Sequence, residues 1–201
     1  MVEEQLRPGG VSDERVLQVM LSLPRELFVP PEARRLAYDS HALSIGYGQT
    51  ISQPVVVGSI TQALAPGPDD VALEVGTGSG YQAAVLSRLC KRVISVELEP
   101  ALAERARETL RGLGIDNVRV ETGDGSLGWP GDGPYEMIAV SCASPRVPER
   151  LVDQLGEGGR LVIPLGSSKD KIQDLRLYRR EGDELRWKSL FGVRFVPLRT
   201  R

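Results

Sequence analysis

Leu73-Glu74-Val75-Gly76-Thr77-Gly78-Ser79-Gly80-Tyr81 sets three glycines on alternate positions directly after a short apolar run. The pattern is that of a strand entering a tight turn whose backbone can lie flat against a ligand, because glycine carries no Cβ. The spacing is G-x-G-x-G, and Tyr81 stands where a dinucleotide fingerprint has its third glycine. Such a turn suits a nucleoside or an amino-acid moiety better than a pyrophosphate.

Strands and helices alternate downstream of that turn. Val71–Val75 reads as a strand, and Ala84, Val85 and Leu89 mark the buried side of the helix that follows Gly80. Val93–Val96 is a second strand. Pro100 opens a helix at its first turn, where proline sacrifices no hydrogen bond; Leu102, Ala106, Leu110 and Leu113 line its apolar side and Gly114 stops it. Val118–Val120 and Met137–Val140 follow as strands, Pro148–Leu155 as a helix ended by Gly156, and Arg160–Ile163 as a fifth strand. Gln173–Tyr178 and Leu185–Val196 flank a Glu181-Gly182-Asp183 turn, the signature of an antiparallel hairpin. The expected architecture is α/β: a doubly wound, mostly parallel sheet of seven strands with a C-terminal antiparallel hairpin. Ligands are then expected beyond the carboxyl ends of the strands.

Upstream, residues 12–22 have helical periodicity, with Ser12 as N-cap and Val16, Leu17, Met20 and Leu21 on one face. Residues 25–54 read as irregular, broken by Pro30-Pro31, Gly46, Gly48 and Pro54, and a helix from about Val56 to Leu64 closes the segment. The chain of 201 residues is expected to be one domain: an N-terminal helical and lid segment over 1–66, a ligand-binding core over 67–166, and a hairpin and tail over 167–201.

Composition narrows the function. Hydrophobic residues make up 41% and charged residues 26%, ordinary values for a globular protein. A net charge of −2 offers no general attraction to nucleic acid or to an anionic membrane. The charged N-terminus and the lack of a long apolar run predict a cytoplasmic protein. Cys90 and Cys142 form no paired framework, and with His41 as the single histidine no metal site is expected. His41, Trp129 and Trp187 are read as packing or loop-anchoring residues. Asn117 is the one asparagine, and few Asn, Cys and Met suit a heat-adapted chain, while the shortage of lysine, with four in all, equally fits codon bias.

Two acidic residues extend the site. Glu97 ends the second strand, seventeen positions after Gly80. Its alternative is a solvated carboxylate beside Glu99 at a helix N-terminus. The preceding glycine turn favours a ribose acceptor instead. Asp124 in Gly123-Asp124-Gly125 is either a plain Asp-Gly turn or an acceptor for an adenine amino group. Three turns on consecutive strand ends together point to an adenosine pocket. Ser52 lies in Ile45-Gly46-Tyr47-Gly48-Gln49-Thr50-Ile51-Ser52-Gln53-Pro54, where it could equally cap the next helix. It is not in a G-x-S-x-G elbow, and one histidine leaves few partners for a hydrolase triad.

A resemblance sharpens this. Gly-Gln-Thr-Ile-Ser-Gln-Pro at 48–54, the glycine turn with its flanks at 73–86, and Gly-Asp-Gly at 123–125 stand in fixed order. Pro24-Arg25-Glu26-Leu27-Phe28-Val29-Pro30 precedes them, while Gly128-Trp129-Pro130 and Val193-Arg194-Phe195-Val196-Pro197-Leu198 follow. Together they resemble the protein-L-isoaspartate O-methyltransferases over nearly the whole chain. The Thr-Ile-Ser-Gln-Pro block narrows the choice, since the glycine turn is shared by most S-adenosylmethionine methyltransferases. Val140-Ser141-Cys142-Ala143 departs from the Val-Thr-Ala-Ala of many relatives.

The resemblance implies S-adenosylmethionine as cofactor, with S-adenosylhomocysteine as its product, and isoaspartyl proteins and peptides as substrates. A monomer is expected, and the net charge of −2 predicts no nucleic-acid or membrane partner. Ser52 would be the catalytic hydroxyl. Thr50, Ile51 and Ser52, Gly76, Thr77, Gly78, Ser79 and Gly80, Glu97 and Leu98, and Asp124 and Gly125 would bind the cofactor. Ser52, Val140, Ser141, Cys142, Ala143, Val196, Pro197 and Leu198 would bind the substrate. The rival readings are a methyltransferase of a small molecule or RNA, a nicotinamide dehydrogenase, and a non-catalytic binding module.

Overall fold

The computed structural model describes residues 1–167, 170 and 172–200. The remaining four positions of the expected 167–201 tail lie outside the described residues. Seven strands form one sheet: β3 (Val71–Val75), β4 (Arg92–Glu97), β5 (Val118–Thr122), β6 (Tyr135–Val140), β7 (Leu155–Leu165), β8 (Gln173–Glu181) and β9 (Glu184–Val193). They lie in the order β5-β4-β3-β6-β7-β8-β9. The first five pair in parallel; β8 and β9 add antiparallel to the edge. The chain reverses its winding between β3 and β6, which opens a cleft beyond their carboxyl ends.

A parallel sheet needs cover on both faces, and the alternation along its strands supplies it. Ala72, Val93, Met137, Ala139 and Val162 meet Val56, Ile60 and Leu64 of α2 (Pro54–Leu64) and Ala83 and Leu86 of α3 (Tyr81–Ser87). Leu73, Val75, Ile94, Val96, Ile138 and Val140 meet Leu151 of α5 (Glu149–Asp153) together with Leu155 on the other face. In α4 (Pro100–Gly112) the expected residues Leu102, Ala106 and Leu110 are buried, while Leu113 is half-buried. The amides of Gly114 and Ile115 close its end on the carbonyls of Arg111 and Leu110.

Several boundaries differ from the sequence expectation. Helix α1 (Glu14–Ser22) is capped by Asp13, whose side chain accepts from the Arg15 amide at 2.9 Å, and not by Ser12. The Ser12 and Asp13 amides both donate to Gln62 Oε1, which ties this entry to α2. Leu21 points outward, 65% exposed. Helix α2 starts at Pro54, two residues before the expected Val56. The helix expected over Pro148–Leu155 stops at Asp153, because Leu155 already pairs with Tyr135 and opens β7. Gly156 therefore lies inside a strand. The last strand ends at Val193, where Phe195 turns to give its amide to Gln173 Oε1.

The stretch 25–54 is also more regular than expected. After two 3-10 turns, Arg25–Phe28 and Pro31–Leu36, it forms a hairpin of β1 (Leu43–Gly46) and β2 (Gln49–Ile51). Tyr47 (φ 56°) and Gly48 (φ 70°) make the tight turn, a pair of left-handed residues that matches the twist of two-residue hairpins. Leu43, Ile45 and Ile51 are buried with Phe28, Val57, Tyr81 and α1, so the hairpin sits over the glycine turn.

Gly80 joins that turn to α3 at φ 86°, and a Cβ there would stand 3.3 Å from Ala106 Cβ on α4. Left-handed backbone costs an L-residue about 1–2 kcal/mol before any contact is counted. Gly80→Ala is expected to lower the unfolding free energy by at least that amount, read from the midpoint of urea denaturation.

Candidate active site

Three strand ends build the site. Beyond β3 the amides of Gly76 and Thr77 donate to the Val96 carbonyl at 2.9 and 3.3 Å, and the Gly80 amide closes the turn on Thr77. At the end of β4 the Glu97 carboxylate takes the Gly78 amide on Oε2 at 2.8 Å and the Glu99 amide on Oε1 at 2.9 Å. Its remaining acceptor capacity borders the cavity that this turn lines. At the end of β6 the Ser141 amide donates to Val75, which places Ser141 and Cys142 opposite the turn.

A buried chain lies beneath. Thr77 Oγ1 is 2.5 Å from Ser95 Oγ, and Ser95 donates in turn to Glu74 Oε2. Glu74 Oε1 has no partner, nor has Gln82 Oε1, whose amide nitrogen donates to Thr61 Oγ1 at 2.9 Å. Both residues line the same cavity. Burial pushes the Glu74 carboxyl up to about 8, with the Ser95 hydrogen bond opposing and nearby Glu97 adding to the rise. Burial also raises the Cys142 thiol, so it stays protonated and is no nucleophile at neutral pH.

The hairpin supplies the roof. Thr50 and Ile51 end β2, and Ser52 stands between that strand and the start of α2, held from both sides. Ser52 is half-buried, and its Oγ makes no hydrogen bond to any described residue. A second groove runs outside it, lined by His41, Ile172, Phe191 and Arg194. Thr50, Ser52, Ser141 and Val196 border both the inner cavity and this groove. Ser52 thus stands in the wall between two compartments.

Among the residues expected in the site, Thr50, Ile51, Ser52, Gly76, Thr77, Gly78, Ser79, Glu97, Leu98 and Gly125 border the inner cavity, as do Ser141, Cys142, Val196, Pro197 and Leu198. Gly80 does not; it serves the turn. Asp124 caps the 3-10 turn Gly125–Leu127, accepting from the Ser126 amide and hydroxyl at 2.9 and 2.6 Å, and borders a neighbouring depression with Trp129 and Gln154. Val140 is buried in the sheet. Ala143 gives its amide to Val196 and its carbonyl to Leu198, so its backbone is engaged by the tail. Glu74, Tyr81, Gln82 and Arg199 border the cavity unanticipated. The signal for Glu74 was present: a carboxylate inside an otherwise apolar strand must be buried with a purpose.

The lining tests the cofactor. The Glu97 carboxylate, the buried Glu74 carboxyl and the unpartnered Gln82 Oε1 line it, and Arg199 is the one basic residue among the described residues that line it. This surface, with acceptor oxygens and a single basic residue, suits a ligand carrying an ammonium and a sulfonium better than a pyrophosphate. S-adenosylmethionine fits; a nicotinamide dinucleotide does not. Among the described residues no group of His, Cys, Asp and Glu is placed to hold a metal ion.

The Glu74 proton has a measurable consequence. Its folded value of about 8 lies above the ordinary 4.5, so the folded protein keeps a proton that the unfolded chain releases. That contribution to stability is complete below pH 4.5 and is lost as pH rises through 8. Glu74→Gln does not titrate, so thermal unfolding should show the variant gaining on the parent across this window. A constant difference between the two would contradict the assignment.

The similarity to known proteins agrees with this geometry. A sequence model of the protein-L-isoaspartate(D-aspartate) O-methyltransferase family matches residues 1–201. A protein-L-isoaspartate O-methyltransferase of Methanoculleus marisnigri is 50% identical over 199 residues, covering 98% of this chain and 89% of its own. That of Protochlamydia amoebophila is 48% identical over 198 residues, covering 98% and 94%. A solved protein-L-isoaspartate O-methyltransferase superposes with a TM-score of 0.87 at 31% identity over 98% of this chain, which spans 65% of that longer one. A Plasmodium falciparum structure in complex with S-adenosyl-L-homocysteine, described as a protein-L-isoaspartate O-methyltransferase, superposes at 0.85 with 25% identity over 100% of this chain and 97% of its own. The small-molecule and RNA alternative is not favoured. Acid-lined cleft, roofing hairpin and full-length similarity converge: the chain belongs to the protein-L-isoaspartate(D-aspartate) O-methyltransferase family, an S-adenosylmethionine-dependent family of methyltransferases.

Proposed function

We propose that this chain methylates the α-carboxylate of L-isoaspartyl residues in damaged proteins and peptides, with the donor in the inner cavity and the acceptor in the outer groove. The observation that carries the reading is Ser52 in the wall common to both. When bound, S-adenosylmethionine supplies an electrophilic methyl group on a sulfonium, and transfer leaves the neutral thioether. Gly76, Thr77, Gly78 and Ser79 would hold its amino-acid end and sugar, with Gln82 Oε1 placed to accept from the ammonium and the buried Glu74 carboxyl lining the same cavity. Glu97 accepts from the ribose hydroxyls, and Gly125 and Leu98 border the base, with Asp124 shaping the turn beside it.

The acceptor needs little activation. A carboxylate with a pKa near ~4 is already ionised at neutral pH, so no general base is required. Ser52 would donate to one carboxylate oxygen and so turn the other toward the inner cavity, where the methyl donor would be held. Because that bond also holds charge on the nucleophile, its benefit is alignment. Ser141, Cys142 and Val196–Leu198 form the remaining wall against the peptide. The methyl ester then closes to a succinimide, whose hydrolysis returns part of the residue as normal aspartate. We read the working form as a cytoplasmic monomer without a nucleic-acid partner. The net charge of −2, and the absence among the described residues of any helix long and apolar enough to cross a membrane, are in keeping with that. Segment 1–66 acts as the lid, 67–166 as the cofactor core and 167–201 as the flank of the peptide groove.

The direct test is methyl transfer from labelled S-adenosylmethionine to an isoaspartyl peptide, with the aspartyl isomer as control; equal labelling of the two would refute the substrate assignment. Ser52→Ala removes one hydrogen bond to a charged group, worth about 1.5–3 kcal/mol, so kcat should fall ~10- to 100-fold with cofactor affinity little changed. Glu97→Ala should weaken cofactor binding by a similar factor, and calorimetry returning the parent affinity would defeat the ribose role.

A further inference from the structure

Arg25 is wholly buried, which arginine reaches only when its guanidinium is engaged. It leaves the 3-10 turn upstream of the hairpin and donates from Nε to the Ala37 carbonyl at 2.7 Å and from Nη2 to the Ser52 carbonyl at 2.6 Å. Its guanidinium carbon lies 4.7 Å from the centroid of the Tyr81 ring, and Phe28 meets the same ring edge-on at 5.2 Å. No described carboxylate forms an ion pair with it, and both Nη1 and the Tyr81 hydroxyl lack hydrogen-bond partners. Tyr81 follows the glycine turn directly and borders the donor cavity. One cation therefore joins the carbonyl of the proposed catalytic serine to the residue beside the cofactor turn. The opposite end of the hairpin is held separately, by Arg105 Nη1 on the Ile45 carbonyl at 2.9 Å.

We propose that Arg25 is the positioning residue of methyl transfer: it fixes the peptide plane after Ser52, and so the direction of its hydroxyl, and through the face of Tyr81 it couples that placement to the cofactor turn. The inference rests on the role given to Ser52 above. Lysine keeps the charge but carries its three donors on one nitrogen, without the separated Nε and Nη2 that reach the two carbonyls in a fixed plane, so it does not substitute. Loss of Arg25 loosens the Ser52 end of the hairpin while Arg105 keeps the other end seated.

The test is a double-mutant cycle of Arg25→Lys with Ser52→Ala, assayed on an isoaspartyl peptide with thermal unfolding recorded alongside. Arg25→Lys should lower kcat ~10-fold or more with KM for S-adenosylmethionine changed less than about threefold. In the Ser52→Ala background it should lower kcat by less than about twofold. Equal losses in both backgrounds would reduce Arg25 to a structural residue and overturn the inference while leaving the function intact. If Ser52→Ala alone is silent, the serine reading fails and this inference falls with it. Should Arg25→Lys not fold, the parent protein decides: its Arg25 Nε–H resonance should exchange slowly and shift on addition of S-adenosylhomocysteine. A fast-exchanging or unmoved signal overturns the proposal.

Discussion

The Glu97 carboxylate spends one oxygen on the amide of Gly78 and the other on that of Glu99. This pair of bonds ties the turn after β3 to the start of α4, across two adjacent parallel strands. The glycine turn and the residues it delivers take their position in part from that tie. The turn delivers Tyr81 to the head of α3; Tyr81 offers its face to Arg25; Arg25 holds the Ser52 carbonyl. The strands beneath are buried on both faces, so none of these groups can drift without disturbing the core.

Charge is distributed in keeping with a cationic donor meeting an anionic acceptor. The inner cavity carries Glu74 and Glu97, the first neutral at neutral pH because its burial outweighs its hydrogen bond to Ser95. The guanidinium of Arg25 stacks on the Tyr81 ring and is not among the residues that line the cavity. The outer groove has no carboxylate among the described residues that line it, and it includes Arg194 and His41. A carboxylate arriving there meets no repulsion. A sulfonium arriving inside meets acceptor oxygens.

Local signals carried most of the fold. The apolar runs that became β3, β4, β5 and β6 are each surrounded by turn residues, and Pro100 and Gly114 bracket α4 by backbone chemistry that needs no tertiary partner. The turn from Gly76 to Gly80 was legible for the same reason. Errors arose where a distant contact outweighed a local preference. Gln62, some fifty residues away, takes the Ser12 and Asp13 amides and passes the cap to Asp13. Tyr135 pairs with Leu155 and cuts α5 short. The β1–β2 hairpin hides behind prolines and glycines that read as breakers, though Tyr47-Gly48 is a workable hairpin turn once Leu43, Ile45 and Ile51 have a surface to bury against.

The candidate site divides along the same line. Sequence alone determined the family, the alternating α/β layout, the glycine turn and the candidacy of Ser52 and Glu97, since each is written in contiguous residues or in a fixed spacing. Only the tertiary structure decided that Asp124 caps a turn, that Ala143 gives its backbone to the tail, and that Glu74 keeps a proton. It alone brought the Arg25 guanidinium to the Ser52 carbonyl, twenty-seven positions along the chain. Spacing is a property of the chain, whereas burial and hydrogen-bond partnership arise only when distant segments exclude water from one another.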